Sequence, residues 1–503
     1  MELRLPDTAR GDFELALERA RSEHWADRIL DQDATLWGPE AEEEACIRLG
    51  WTQANRPARD LLPQIEELRA TLLARGIDRV VLCGMGGSSL APEMICRATK
   101  VPLVVLDSSH PDMVRSALVE LERTVVVVSS KSGGTVETDS LMRTFVAAFE
   151  DAGLDPHDHV VVVTDPGTSL DETASAQDFR TFRADPNVGG RFSALTAFGL
   201  VPSGLAGADL ARLIDEAESA DVLSPDLGVL LGVAHRHGHG HLELLDTRGH
   251  GLGEWIEQLV AESTGKEGTG ILPVVLEDES APGAHSLVVH LGAGQLPEAP
   301  WAATIPEPLG AQLLLWEVAT SIAGKMLEIN PFDQPDVESA KAAAREMLSA
   351  DGDVEPPRGI DVDALAEAFR LVPEDGYLAV QAYLDRWAHA DFAAIRGRLS
   401  AALGRTVTFG WGPRFLHSTG QFHKGGPANG VFVQITDTPL GDLAVPGREF
   451  TFGEFIAAQA AGDAQVLDDR DVPVVRILLG PGEGPADVVA AVEAALVKAG
   501  GSA

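Results

Sequence analysis

The sequence predicts an α/β protein: two doubly wound parallel-sheet domains with additional helices. Three observations carry that expectation. From Val80 onward, short apolar runs alternate with loops and helical stretches, at Val80–Cys83, Leu103–Leu106, Thr124–Val128 and Val160–Thr164. That is the spacing βαβ units require. A second series follows the crossing at Pro202-Ser203-Gly204, with strand candidates at His241–Leu245, Gly270–Leu276, Ser286–Leu291, Tyr377–Leu384, Val431–Thr436 and Val474–Leu479. Helical patterns lie between these, notably over 253–263 and 308–328.

In chain order, residues 11–75 read as helices, with apolar positions at Phe13, Leu15 and Leu17 and then Ile65, Leu68 and Leu72. The expected organisation is a helical segment over 1–75, a first α/β domain over 76–215, and a second over 216–503 with a C-terminal extension. Asp351–Gly359, rich in Asp, Pro and Gly, is expected as a surface loop. Gly480–Pro485 should connect to a last helix at 486–499. No short-period repeat is visible.

Composition narrows the function. The 503 residues allow large cores, and 45% apolar content is ordinary for a globular protein. No apolar run long enough to span a bilayer occurs, and Met1–Asp7 has no basic-then-apolar pattern of a secretory signal. Cys46, Cys83 and Cys96 have no metal-ligand spacing and suit a reducing cytoplasm. A net charge of −38 repels nucleic acid and anionic membranes. It also repels a phosphorylated substrate, so a site for one must gather local donors; Lys131, Arg191 and Lys341 can serve.

Two loops carry the strongest chemical signal: Gly84-Met85-Gly86-Gly87-Ser88-Ser89 and Ser129-Ser130-Lys131-Ser132-Gly133-Gly134-Thr135. Each follows a strand candidate and leads into a helix. Glycines let backbone N–H groups approach an anion, a helix start adds partial positive charge, and hydroxyls add donors. Two such loops at the carboxyl ends of adjacent parallel strands form a pocket for one phosphate monoester. A nucleoside-triphosphate P-loop is absent, and the first loop has Ser89 where a dinucleotide fingerprint needs its last glycine. The plainer reading, two turns that bind nothing, must explain both loops at once.

Further candidates follow. The tract His235–His241 alternates histidines and could hold a transition metal, but Gly238 and Gly240 loosen it, and a polar loop before a strand is preferred. On helix 253–263, Glu254, Gln258 and Glu262 share a face, with Trp255 and Leu259 as anchors beside it. Glu262 could project into a cleft before the terminating Gly265; the plainer reading pairs it with Lys266 on the surface. Gly189-Gly190-Arg191 can hold a guanidinium close to a reacting oxygen, or can be a turn with a surface Arg. Asn330–Pro335 is a constrained turn ahead of Lys341, and His417–Gly426 is a polar loop with two histidines.

Taken together, these motifs resemble the glucose-6-phosphate isomerase family, built on two SIS-type, flavodoxin-like domains. The likeness rests on Gly86-Gly87-Ser88, the run Ser130–Thr138, Gly189-Gly190-Arg191, Gln258…Glu262–Lys266 and Phe332-Asp333-Gln334…Lys341, in the family's order from about residue 45 onward. It is strongest to the isomerase half of transaldolase–phosphoglucose isomerase fusions, which share His417–Gln421; the stretch ahead of residue 45 is too short for a transaldolase. The resemblance implies a phosphate cradle at Gly87, Ser88, Ser130, Ser132 and Thr135 with Lys131 near it, a proton-shuttling base at Glu262, and an enediolate stabiliser at Arg191. It implies substrate positioning by Gln258, Gln334 and Glu137, and ring opening by Lys341 with a histidine. That histidine usually precedes the Gln334 motif, where this chain has only His285 and His290 outside any familiar pattern. His417 is preferred, with His423 as the alternative.

The resemblance thus implies reversible conversion of glucose 6-phosphate and fructose 6-phosphate in glycolysis and gluconeogenesis, with no metal, nucleotide or redox cofactor. It also implies a cytoplasmic homodimer. A mannose-6-phosphate or dual-specificity isomerase, and a non-catalytic sugar-phosphate-binding regulator, are the alternatives. A regulator would not need Glu262 or Arg191, and an amidotransferase would need an N-terminal Cys that is absent.

Overall fold

The computed structural model describes residues 1–220, 224–276, 282–336 and 357–500. Its first sheet is built around β4 (Thr124–Ser130), all of whose residues are buried. A strand covered on both faces reads as a continuous apolar run, as this one does. Alternate side chains divide between two cores: Val125 and Val127 join the larger one, while Val126 and Val128 join a second on the opposite face. β2 (Arg79–Gly84) divides the same way, with Val80 and Leu82 on one side and Val81 and Cys83 on the other. With β3 (Val104–Leu106), β5 (Val160–Thr164) and β6 (Arg180–Arg183) the order is β3-β2-β4-β5-β6, parallel throughout.

The second sheet holds β7 (His241–Leu245), β8 (Leu272–Leu276), β9 (Ser286–Leu291) and β10 (Ala302–Ile305), with β1 (Glu2–Arg4) added antiparallel at the edge; its order is β1-β10-β9-β7-β8. The buried helix Leu309–Leu327 packs against the helices Asp226–Arg236 and Leu210–Glu218 beside it.

The α/β class holds, with one addition. The segment expected as a second unit with an extension carries two sheets. β11 (Tyr377–Tyr383), β12 (Thr406–Trp411), β13 (Gly430–Thr436) and β14 (Val474–Leu478) form a separate parallel sheet, ordered β12-β11-β13-β14, around a core of its own. β12 escapes the sequence pattern because its last three residues, Phe409, Gly410 and Trp411, are only half buried. β1, β6 and β10 are short edge or near-edge strands with little apolar run to see. In the N-terminal helix Asp7–Ser22, Phe13 is buried as expected, whereas Leu15 turns outward and is 68% exposed. Among the described residues no helix is long and apolar enough to cross a membrane. Residues 351–356 of the expected surface loop lie outside the described residues.

Candidate active site

A cleft of about 700 Å³ opens where the carboxyl ends of β2 and β4 meet the helix Leu252–Thr264. Both serine-rich loops line it. Gly86 sits at φ +55°, in the left-handed region that glycine tolerates, and a Cβ there would meet the His417 carbonyl at 2.6 Å. A Cβ on Gly87 would come within 2.1 Å of the Gly190 carbonyl, so the first loop lies directly on the loop that bears Arg191. Ser88, Ser130, Lys131, Ser132 and Thr135 all line the cleft, and Ser130 Oγ donates to Thr135 Oγ1 at 3.0 Å. The helices Leu90–Thr99 and Val136–Asp151 start just after the two loops and turn their N-terminal dipoles toward it.

Lys131 is already engaged: its Nζ donates to Asp165 Oδ2 at 2.5 Å and to the Asp185 carbonyl at 3.3 Å. Burial pushes the Lys131 ammonium down and the Asp165 carboxyl up, each held back by the other. An incoming phosphate would therefore share Lys131 with a carboxylate rather than meet a free charge.

Glu262 and Arg191 face each other at 3.7 Å, 5% and 2% exposed. The helix carrying Glu262 starts where Asp246 Oδ2 accepts from the Leu252 and Gly253 amides, at 3.0 and 3.3 Å. Trp255 and Leu259 anchor it in the core as expected. Arg191 Nε donates to Ser263 Oγ at 2.7 Å, and its Nη2 donates to the Pro331 carbonyl at 2.6 Å and the Asp333 carbonyl at 3.2 Å. Burial pushes the guanidinium down, and Glu262 and Asp333 push it back up. The surface pairing of Glu262 with Lys266 does not form. Lys266 is fully buried and its Nζ reaches the Asn330 carbonyl at 2.7 Å and the Asp333 carbonyl and Oδ1 at 2.7 and 2.6 Å. Burial, then nearby Arg191, push its ammonium down to about 8. The Asn330–Pro335 turn is pinned from below by Phe332, which packs edge-on against Trp37 and beside Phe192. Gln334 thereby reaches the cleft.

His417 enters the same cleft from the C-terminal sheet, on the turn Arg414–His417 after β12. Its Nε2 lies 2.9 Å from Glu137 Oε1, and Gln258 Nε2 donates to its carbonyl at 2.8 Å. The turn is held from a distance. Arg414 and Arg386 reach across to Glu93 and Asp107, with Arg414 Nη1 at 2.6 Å from Glu93 Oε2 and Arg386 Nη2 at 3.0 Å from Asp107 Oδ1. Gln421 fixes the following helix by donating to the Gly265 carbonyl at 2.9 Å and Asp336 Oδ2 at 2.8 Å.

His423 is the member of the pair that does not reach the cleft. It is stacked on Tyr377, with its Nδ1 2.9 Å from the tyrosine hydroxyl, and burial pushes its imidazole down to about 3. An imidazole so desolvated stays neutral and packs as an aromatic. His285 and His290 also lie outside the cleft lining. In the His235–His241 tract His235 turns to Thr269 and His237 to Asp12, His237 and His239 both lie beside Trp301, and His241 turns to Thr406, with His285 beside His239 and His241; among the described residues no group of three or more such side chains is placed to hold a metal. Lys341 lies outside the described residues.

Sequence reasoning missed part of this lining. Glu44, Arg48, Asp165 and Thr168 also face the cleft. Arg48 pairs with Glu44 at 2.7 Å; both come from the N-terminal helical region, where no motif marks them. Ser129 was visible as part of its loop but not as a site residue. Its Oγ and Gln258 Oε1 are buried in the cleft without a hydrogen-bond partner among the described residues. Orphaned polar atoms of that kind mark a place where a polar ligand completes the network.

The chain is similar to several known proteins. It is 28% identical to a glucose-6-phosphate isomerase of Citrifermentans bemidjiense over 55% of this chain and 66% of that one. It is 30% identical to a glucose-6-phosphate isomerase of Thermosynechococcus vestitus over 54% and 66%. The matches thus span just under two thirds of the length of these relatives. A solved structure of a hypothetical protein from Thermus thermophilus superposes with a TM-score of 0.57 at 25% identity, over 69% of this chain and all of that one. Residues 66–221, which hold both serine-rich loops and Arg191, match the phosphoglucose isomerase family model.

Proposed function

We propose that the protein is a glucose-6-phosphate isomerase, interconverting glucose 6-phosphate and fructose 6-phosphate through a cis-enediolate. The observation that carries this reading is a single cleft lined at once by two phosphate-type loops, Arg191, Gln258, Glu262, Gln334 and His417. In it the cradle of Gly87, Ser88, Ser130, Ser132 and Thr135 holds the phosphate, and binding energy gained there positions the sugar carbons for reaction. His417 Nδ1 takes the proton of the anomeric hydroxyl and returns it to the ring oxygen as the C1–O5 bond breaks; Lys341 assists, as the family resemblance has it. Glu262 then removes the C2 proton, and electron density moves into the enediolate oxygens. The same carboxyl returns the proton at C1 as C2–O2 becomes the carbonyl, and the O2 proton passes to O1. Arg191 is pre-oriented by Ser263 and two carbonyls, so it meets the growing oxyanion charge without reorganising. Gln258, Gln334 and Glu137 orient the chain and the histidine.

The reading includes a reducing, cytoplasmic setting for the three free thiols, a homodimer, and the likeness to the isomerase half of transaldolase fusions. A coupled dehydrogenase assay on fructose 6-phosphate tests it, with turnover expected and unaffected by chelator. Absence of turnover sinks the enzyme reading and leaves a sugar-phosphate-binding regulator. Faster turnover of mannose 6-phosphate would move the specificity to that epimer.

A further inference from the structure

We propose that Gln459 is a positioning residue for the ring-opening step, acting through Glu137 on His417. The proposal rests on the isomerase reading above. Gln459 lies on the helix Phe452–Asp468, which packs on the C-terminal sheet, and is 3% exposed. Its Nε2 donates to Glu137 Oε1 at 2.7 Å, the same oxygen that lies 2.9 Å from His417 Nε2. Its own Oε1 accepts from the fully buried Ser109 Oγ at 2.5 Å. Ser109 belongs to the first sheet's loop after β3 and Glu137 to the helix after β4, so the chain Ser109–Gln459–Glu137–His417 crosses between the two units three times.

The direction of each bond is set by chemistry. An amide whose oxygen is taken by a hydroxyl donor must present its NH₂ to the carboxylate. A carboxylate receiving that donor has its plane fixed, and a donated hydrogen bond favours its charged form. An ionised carboxylate can only accept, so His417 must carry its proton on Nε2. That leaves Nδ1 as the nitrogen that exchanges a proton with the sugar. Glu137 thus stands to His417 as the third member of a catalytic triad stands to its base, and Gln459, one bond further out and without touching substrate, holds that carboxylate in the position that favours the working tautomer.

The test separates ring opening from C2 chemistry. Ring opening is read as the anomerisation rate of glucose 6-phosphate by exchange NMR. C2 chemistry is read as deuterium exchange of an aldotetrose 4-phosphate, which cannot close a furanose because its O4 carries the phosphate. Gln459→Leu should lower anomerisation about tenfold and leave tetrose exchange within about twofold of wild type. Ser109→Ala, which frees only the far end of the amide, should shift the same rate in the same direction by less. Loss of both reactions together would mean that Gln459 merely packs the core, and unchanged anomerisation would also overturn the proposal. The ¹⁵N spectrum of the His417 imidazole needs no substrate: wild type should show the Nε2–H tautomer and Gln459→Leu a mixture. A wild-type protein with neither activity would remove the isomerase reading, yet an unchanged tautomer in Gln459→Leu would still decide against Gln459.

Discussion

The first sheet and the C-terminal sheet supply one cleft by opposite means. The first sheet builds its share locally. Each cradle residue lies within a few positions of the end of β2 or β4, and the shape of each loop comes from its own glycines and hydroxyls, as with Gly86 and the Ser130–Thr135 bond. Among the described residues the C-terminal sheet contributes a single side chain, His417, and holds it through partners far away in the chain. Its docking point is a short run after β3. Asp107 meets Arg386 and Arg414, Ser109 meets Gln459, and His110 Nε2 lies 3.0 Å from Asp437. Local geometry yields a motif that can be read from sequence, whereas long-range docking decides which of two neighbouring histidines, His417 or His423, reaches the cleft.

The sharpest way to break this contrast is a mixing experiment. Glu262→Gln keeps the shape of the side chain and removes the base, and should lose about 10³ in turnover while still binding sugar phosphate. Mixed and refolded with His417→Ala, it should regain nothing, because Glu262 and His417 line one cleft of one chain. Recovery toward a quarter of wild-type activity would mean that a neighbouring chain supplies His417.

His417→Ala alone should cost about 10² on the cyclic sugar and little on an open-chain analogue. His423→Ala should leave both catalytic rates nearly intact, since that ring fills core space against Tyr377. The reverse pattern would move the acid/base role along the loop.

Arg414→Leu attacks the docking. It leaves Glu93 and Asp107 as buried carboxylates short of a partner, a loss of about 3–5 kcal/mol in unfolding free energy measured by denaturant titration. Ser130→Ala attacks the cradle instead and should weaken a sugar-phosphate inhibitor about tenfold without altering stability. Equal effects of the two variants on inhibitor affinity would erase the distinction between the sheets.

The smallest effect is one of pH. Burial pushes the Glu93 carboxyl up, but Arg414, Arg386 and Arg97 outweigh it and hold it well below the ordinary value of 4.5. The stability it contributes is therefore complete above that value and is lost only as pH falls toward its depressed folded-state value. Protection of the amides in the Arg414–His417 turn should accordingly hold at pH above 4.5 and fall off progressively below it; opening already above that value would show that the carboxylate is not held by the arginines.

These tests bear on what could be read without a structure. Both serine-rich loops, four of the five strands of the first sheet and the helix of Glu262 follow from patterns a few residues long: a valine run, a glycine pair, an apolar stripe; the edge strand β6 does not. Lys266 shows the limit. Its position four residues after Glu262 argues for a surface pair, but the chain turns at Gly265 and buries the ammonium on Asp333. Gln459 and Ser109 carry no motif; their meaning comes from a contact between residues 350 positions apart. Arg48 reaches the cleft for the same kind of reason, through the packing of an N-terminal helical segment. Three strands of the C-terminal sheet, β11, β13 and β14, are legible in the sequence, but β12 is not, and neither is the sheet, since strand order is a property of pairing and not of any one segment.

The helix Leu252–Thr264 bears on how this sequence can tolerate change in length. Gln258, Glu262 and Ser263 share one rod, fixed at its start by Asp246 and at its end by the close approach of Gly265 to Phe422. A single inserted residue between Leu252 and Gln258 would rotate everything after it by about 100°. Glu262, the Gln258 amide that holds the His417 carbonyl and the Ser263 hydroxyl that aims Arg191 would all leave their places in one step. Insertions and deletions should therefore be excluded from this helix, while the stretch between β9 and β10, which carries none of the site residues, can lengthen or shorten at little cost to chemistry.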